Sequence, residues 1–142
     1  MADLSQTAAN VALGASTTPT KILQVGESAT QGMPLYFHTD GKWYQCDAND
    51  TAAKAVAGAI ALSPAAADGY VLAALPATSP GRSLVNLGAT LAIGTVYGVS
   101  ATKGAIAPIS DITSTQFVSV LGIATTAALL DFQPSISNTA KA

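Results

Sequence analysis

Short apolar segments separated by turn residues cover most of the chain. Each segment is shorter than a typical helix, and Gly, Pro, Asn or Asp residues stand between neighbouring segments. This spacing is typical of antiparallel strands, and the many glycines and β-branched residues disfavour long helices. The segments predicted to be strands are 21–25, 33–38, 42–46, 54–62, 70–75, 82–87, 95–101, 105–109, 116–124 and 129–133. The pattern therefore predicts an all-β fold, an antiparallel β-sandwich or barrel.

The chain also contains an internal repeat in which matched positions are 61 to 64 residues apart. The matched pairs are Gly26 and Gly88, Gly32 and Gly94, Tyr36 and Tyr97, Gly41 and Gly104, Asp47 and Asp111, and Ile60-Ala61 and Ile123-Ala124. Glycines that recur at turn positions between apolar strands are a feature of a duplicated β-structure. We predict a single β domain over residues 21–142, with two similar halves at about 25–75 and 87–133.

The best-determined local element is a hairpin centred on Asp40-Gly41. This dipeptide predicts a two-residue turn, in which both positions need φ above zero. Alternation of side chains along the strands then defines two faces. The face predicted to be core carries Leu35, Phe37, Tyr44 and Cys46, and the opposite face carries Tyr36, His38, Trp43 and Gln45. The second set is a candidate protein-contact surface, because it combines aromatic rings with polar groups. Ordinary packing beneath a neighbouring loop is the alternative.

Residues 1–20 differ from the rest of the chain in composition. They are rich in Ala, Ser, Thr, Asn and Gln and end in Ser16-Thr17-Thr18-Pro19-Thr20. We predict an extended N-terminal arm with little structure of its own, which a partner orders. A frayed terminus is the alternative interpretation.

Composition favours an assembly subunit over an isolated domain. Only 10% of the residues are charged, against about 25% in typical soluble proteins. Hydrophobic residues make up 49%, but 29 of the 142 residues are alanine, so small side chains dominate. A surface with few charges is expected where partners cover much of a subunit, although an alanine-rich secreted or surface domain has the same composition.

Charge distribution argues against two classes of partner. The net charge is −2, and the six cationic residues are scattered along the chain. We therefore expect no nucleic-acid binding, which needs a basic stripe to neutralise phosphates. Basic amphipathic segments and long apolar runs are also absent from the sequence, so we expect no membrane association. The first residues lack the features of a secretory signal, which predicts synthesis in a reducing cytoplasm.

Few residues are suited to catalysis. Cys46 is the only cysteine and His38 the only histidine, and the predicted hairpin places them on opposite faces. Asp47 and Asp50 are close enough in sequence to share a cation or to form a glycosidase pair. Carboxylates in a turn more often accept hydrogen bonds from the backbone. We therefore expect no enzymatic activity, catalytic residue, cofactor or metal site.

The repeated motifs resemble those of a known protein family. These motifs are Gly32 before the Tyr36 strand, the Asp40-Gly41-Lys42 turn, an alanine-rich link, and the Gly58-Ala59-Ile60-Ala61 and Gly122-Ile123-Ala124 strands. In this respect residues 25–132 resemble the capsid decoration (cement) and head-fibre proteins of tailed phages.

The resemblance implies a small all-β protein of jelly-roll or related barrel topology without an active site. It also implies a location on the exterior of the virion capsid, where the protein ties neighbouring major capsid protein subunits together, commonly as a homo-oligomer (dimer or trimer). The resemblance assigns no contact residue. The alternative is a receptor- or carbohydrate-binding module on a virion fibre, in which exposed Trp43 and Tyr36 stack on sugar rings.

Overall fold

A computed structural model describes residues 3–77 and 82–141 and, for residues 136–140, the backbone only. It contains two antiparallel β-sheets. The first sheet contains β1 (Val11–Leu13), β7 (Leu84–Leu87), β8 (Val96–Val99), β9 (Ile106–Pro108), β10 (Phe117–Ala124) and β11 (Leu129–Ala140). The second contains β2 (Thr20–Gln24), β3 (Pro34–Phe37), β4 (Trp43–Gln45), β5 (Ala59–Ala61) and β6 (Tyr70–Ala74). The all-β prediction is confirmed.

Helices are short in the described ranges. Three 3₁₀ helices occur there, at Ala8–Asn10, Ala53–Ala55 and Ile109–Asp111. Nowhere in residues 3–77 and 82–141 does a helix have the length and apolar character needed to cross a bilayer.

The two sheets have the same connectivity. The order in the second sheet is β2-β6-β5-β3-β4, and β7-β11-β10-β8-β9 is the corresponding order in the first sheet, to which β1 adds on β7. Equivalent glycines make equivalent bonds: Gly32 N–H donates to Ala61 O at 2.8 Å, and Gly94 N–H donates to Ala124 O at 2.9 Å. Both glycines have positive φ, which few other residues adopt readily. The sequence repeat thus corresponds to a repeat of strand order and of turn geometry.

A hydrophobic cluster joins the two sheets. It contains Tyr36 and Ile60 from the second sheet together with Leu121 and Phe132 from the first. The loop after β4 also binds the second half through its backbone, since Gly104 N–H donates to Cys46 O at 2.8 Å. Burial of these side chains is the main force holding the halves together.

A second hydrophobic cluster lies on the other face of the second sheet and includes Leu23, Leu35 and Val71. The sheet curves around this cluster, because Val25 beyond β2 forms a parallel bridge with Trp43 in β4, at the opposite edge. The contact is a single bridge, so the sheet curls strongly without becoming a closed barrel.

The N-terminal segment is part of the first sheet. β1 pairs with β7, with Val11 opposite Leu87, and Leu4 N–H donates to Ile106 O in β9 at 2.8 Å. The segment therefore spans the space between the two edge strands of the second half. An independent arm over residues 1–20 is not confirmed, because residues 4–13 find their partners within the chain.

Gln6 anchors this segment to both halves. Its side-chain amide donates to Gly32 O at 3.2 Å and to Leu87 O at 3.0 Å. We expect Gln6→Ala to lower the free energy of unfolding by about 1–2 kcal/mol, because two partly buried carbonyls lose a donor. Urea denaturation measures the change. The matched control is Gln24→Ala, which removes one exposed bond and is expected to cost less than about 0.5 kcal/mol. Equal losses in the two variants contradict the anchoring role.

Candidate functional site

The hairpin formed by β3 and β4, here called the aromatic hairpin (Pro34–Gln45), carries most of the large aromatic groups of the first half. Its register differs from the predicted one by one residue. Tyr36 lies opposite Tyr44, and Phe37 lies opposite Trp43. His38 N–H donates to Lys42 O at 2.9 Å, so the loop has three residues, Thr39 to Gly41.

The turn chemistry explains the longer loop. Gly41 has φ +86, whereas Asp40 does not have positive φ, so the two-residue turn that needs both is not formed. Gly41 N–H donates to His38 O at 3.0 Å, and Lys42 N–H donates to the Asp40 carboxylate at 2.9 Å. A turn closed in this way and ended by a left-handed glycine is the usual three-residue hairpin loop.

The shift regroups the side chains of the hairpin and corrects the predicted face. Tyr36 and His38 share a face with Tyr44, and the His38 and Tyr44 ring centroids are 5.3 Å apart. Trp43 lies on the opposite face, 5.3 Å from the Phe37 ring. The predicted face of Tyr36, His38, Trp43 and Gln45 therefore does not exist as one surface, because a one-residue slip reverses the side chains of one strand.

Exposure separates the predicted residues further. Tyr36 is only 6% exposed and belongs to the core cluster between the sheets. His38 is exposed and Trp43 is half-buried against the second cluster. Gln45 is held by its amide, which donates to Ser28 O at 2.7 Å. Of these four residues, His38 and part of Trp43 remain accessible to a binding partner.

Phe37 is the contact candidate that the sequence analysis missed. It was predicted to be core, but the structure leaves 60% of its surface exposed beside Trp43. The error comes from the turn length, since a three-residue loop moves Phe37 from the Tyr44 face to the Trp43 face. A phenylalanine this exposed next to a tryptophan is typical of a contact surface.

A pocket of about 320 Å³ lies beside the Tyr44 face of the hairpin. Its two lysines are paired with two of its four carboxylates: Lys103 with Glu27 at 2.7 Å, and Lys54 with Asp50. The other two carboxylates accept hydrogen bonds, Asp40 from the Tyr44 hydroxyl and Asp47 from the Asn49 N–H. The pocket therefore combines hydrogen-bonding groups with the rings of His38 and Tyr44.

Tyr44 and Asp40 are joined by a hydrogen bond between their side chains. The Tyr44 hydroxyl donates to the Asp40 carboxylate, which raises the pKa of Tyr44 to about 12. The same bond, with the Lys42 backbone N–H, lowers the pKa of Asp40. Because Asp40 binds its proton more weakly in the folded chain, the pair contributes stability above about pH 4, which is lost as the pH falls.

We expect Asp40→Asn to lower the pKa of Tyr44 from about 12 towards the usual value near 10, because the variant lacks the negative charge beside the phenol. Titration of ¹³C-labelled tyrosine by NMR measures the pKa directly. Asp50→Asn is the matched control, since Asp50 pairs with Lys54 instead, and it should leave the Tyr44 pKa in place. A Tyr44 pKa that does not change in Asp40→Asn contradicts the pairing.

The remaining candidates for chemistry lie apart from one another or have partners. Cys46 and His38 lie on the same face, contrary to the prediction, but the Tyr36–Tyr44 pair separates them. Cys46 is fully buried, and burial raises the pKa of its thiol. The Asp47 carboxylate accepts the Asn49 N–H at 2.8 Å. Within residues 3–77 and 82–141, no three His, Cys, Asp or Glu residues are grouped so as to hold a metal ion.

The chain was compared with known proteins at three levels. No protein-family model, no curated protein sequence and no solved structure matches it.

Proposed function

We propose that this chain is a structural virion protein, a decoration or cement protein that binds the exterior of an icosahedral phage head and ties neighbouring major capsid protein subunits together. The observation that carries the proposal is the duplicated glycine-led unit, through which the sequence resembles that family. Its two copies have the same strand order, and the equivalent Gly32 and Gly94 donate to the equivalent carbonyls of Ala61 and Ala124.

Two finer features belong to the proposal. One is the jelly-roll type of connection that the resemblance implies. The other is a role for the N-terminal residues 1–20 as a strap. In the proposed role, residues 4–13 remain paired with the second half and contact the shell through exposed side chains such as Leu13, which is 41% exposed.

The proposed shell contact is the exposed part of the Trp43 face of the aromatic hairpin, with Phe37 at its centre and Trp43 beside it. Large aromatic side chains at the centre of an interface supply much of its binding free energy. The nearby charges are already paired within the chain, as in Lys42 with Asp68 at 2.6 Å. Docking of this face therefore does not leave these two charges unpaired.

The proposed mechanism is mass action on a repeated lattice. A protein that binds only the assembled shell stabilises it by RT ln(1 + [L]/Kd), about 2.7 kcal/mol per site when its concentration is 100 times Kd. Because a shell repeats the site many times, a small contribution at each site resists the pressure of packaged DNA. No chemical step is involved.

The test is co-sedimentation of the purified chain with undecorated phage heads, with the bound copies per head counted. We expect saturation at a fixed ratio to the major capsid protein, and Phe37→Ser is expected to weaken binding at least about 30-fold, the effect of losing 2 kcal/mol. Ile93→Ser is the matched control, because Ile93 is 71% exposed and lies in the second half.

The outcomes separate the role from the contact site. Absence of saturable binding by the parent chain overturns the decoration role. Saturable binding that Ile93→Ser weakens and Phe37→Ser does not overturns the hairpin contact alone.

The second candidate is carbohydrate binding by a module on a virion fibre. The pocket beside His38 and Tyr44 favours it, since aromatic rings and hydrogen-bonding groups together suit a sugar. The originally predicted stacking pair does not serve this role, because Tyr36 is buried and Trp43 lies on the other face. A glycan array tests the candidate. Specific binding that Tyr44→Ala abolishes supports it, and a silent array rules it out for the glycans displayed.

A further inference from the structure

Asp111 carries a buried carboxylate without a partner. It is the last residue of the 3₁₀ helix Ile109–Asp111, between β9 and β10. Both of its carboxylate oxygens are buried, and neither accepts a hydrogen bond from any residue that the structure describes. A buried carboxylate is costly unless a cation, a proton or hydrogen bonds compensate its charge. Asp111 therefore requires a compensating group that these residues do not supply.

The first half shows how the equivalent position is normally satisfied. There Asp47, which the repeat matches with Asp111, accepts the Asn49 N–H at 2.8 Å on its carboxylate. The corresponding N–H, two residues after Asp111, belongs to Thr113 and donates to the side-chain carbonyl of Gln116 at 2.9 Å. The missing hydrogen bond is thus a specific difference between the halves and not a property of the repeated fold.

A polar cavity of about 230 Å³ adjoins Asp111. Asp3 lines the same cavity, and its carboxylate accepts a hydrogen bond from the Ser100 hydroxyl. Ser100 is only 3% exposed, and its hydroxyl also accepts the Thr102 N–H at 3.0 Å, so the donor that holds Asp3 is itself fixed. The oxygen-bearing side chains that line the cavity belong to Asp3, Ser100, Thr102, Asp111, Thr113 and Gln116.

The cations of the chain do not compensate the two carboxylates. Within residues 3–77 and 82–141, no ion pair includes Asp3 or Asp111. Lys141 reaches the residue next to Asp111, but its ammonium group donates to the Ile112 carbonyl at 2.8 Å. A ligand of this cavity is therefore expected to carry positive charge.

We propose that the cavity is a calcium site, in which the carboxylates of Asp3 and Asp111 bind the ion. All the side-chain ligands available are oxygen atoms, which hard cations prefer. Calcium takes about six to eight oxygen ligands in a flexible geometry, so hydroxyls, an amide carbonyl and waters can complete its coordination. Magnesium demands a near-ideal octahedron, which ligands from separate segments of the chain fit less well.

The site joins the start of the chain to the second half. Asp3 precedes Leu4, whose N–H donates to Ile106 O in β9 at 2.8 Å. Bound calcium therefore acts as a clip that holds the N-terminal segment against β9. The sequence expectation of no metal site considered only acids close together in the chain, whereas Asp3 and Asp111 are far apart in it. The proposal goes beyond the capsid role and does not rest on it.

Thermal unfolding of the purified full chain in calcium and in EDTA tests the site. We expect a Kd of about 0.1–1 mM, the weak end of the calcium range, because only two ligands are charged. Calcium at 100 times Kd should raise the Tm by about 5–10 °C relative to EDTA. Sodium at the same ionic strength controls for screening, and magnesium should give a smaller shift than calcium.

Substitution of the two aspartates locates the ion. Asp111→Asn and Asp3→Asn are each expected to weaken calcium binding at least about tenfold by titration calorimetry. In EDTA the Tm of Asp111→Asn should be no lower than that of the parent, because the variant buries no unpaired charge. The matched control is Asp47→Asn, which removes the equivalent carboxylate of the first half and should keep the calcium response.

Amide hydrogen exchange tests the clip. In calcium the Leu4 amide should exchange at least about tenfold more slowly than in EDTA, whereas the Gly41 amide in the aromatic hairpin should keep its rate. An unchanged Leu4 rate in calcium overturns the clip.

Four results overturn the site itself. These are a Tm that responds to calcium no more than to sodium, a larger response to magnesium, a calcium response that both Asp111→Asn and Asp3→Asn retain, and a response that Asp47→Asn abolishes. No phage heads are needed for any of these measurements, so failure of the site is distinguishable from failure of the capsid role.

Discussion

Replacing Phe132 by alanine is expected to lower the free energy of unfolding by about 3–5 kcal/mol, because the change leaves a cavity at the centre of the molecule. Phe132 is fully buried and lies in β11, between β7 and β10. It belongs to the cluster that joins the two sheets, so its loss also weakens the contact between the halves. Urea denaturation followed by circular dichroism measures the change.

Phe37→Ala is the matched control for this experiment. The same side chain is removed, but Phe37 is 60% exposed, and we expect a change within about 0.5 kcal/mol. A loss for Phe132→Ala no greater than that for Phe37→Ala contradicts the shared core. The control also bears on function, since a Phe37 variant of normal stability that binds heads poorly has lost a contact and not its fold.

Gly122→Ala is expected to destabilise the chain by about 3 kcal/mol, the upper end of the usual cost of overpacking. Gly122 in β10 lies opposite Phe132, and a Cβ at this position would be 1.9 Å from the backbone oxygen of Asp131. Backbone cannot move aside as a flexible side chain can, so β10 and β11 must separate. Thermal unfolding is a sensitive measure, because even 1 kcal/mol shifts the Tm of a domain of this size by several degrees.

Gly94→Ala separates this steric effect from ordinary glycine strain. Gly94 has φ +82, but a Cβ there meets no atom within 4 Å. Only the conformational cost of about 1–2 kcal/mol is expected. If the two glycine variants lose the same stability, close approach of the strands is not the reason why position 122 requires a glycine.

Strand positions and the repeat were predictable because their signals are local. Every segment predicted as a strand overlaps an observed one, and the recurring Gly32 and Gly94 have equivalent backbone bonds. Apolar alternation and left-handed glycines act within a few residues, so the sequence displays them directly. Strand β1 was the exception: its three residues lie in a small-residue segment without a clear strand pattern.

The candidate site was less predictable because it depends on one residue of register. Asp40-Gly41 fits both a two-residue and a three-residue hairpin loop, and the loop length decides whether Phe37 shares a face with Tyr44 or with Trp43. The pairing of Val11 with Leu87 could not be predicted either, because the local pattern around each residue does not indicate a partner so distant in the sequence. Both errors concern which segments meet, which tertiary packing decides.

The location of the N-terminal segment has a consequence for the order in which the protein forms during synthesis. Residues 4–13 are synthesised before Leu87 and Ile106, the residues with which Val11 and Leu4 pair. The second sheet, by contrast, lies within residues 20–74 and can form before the rest of the chain exists. We therefore expect the N-terminal segment to remain unpaired until the second half has been synthesised. Closing this long loop is expected to be among the slowest steps of folding.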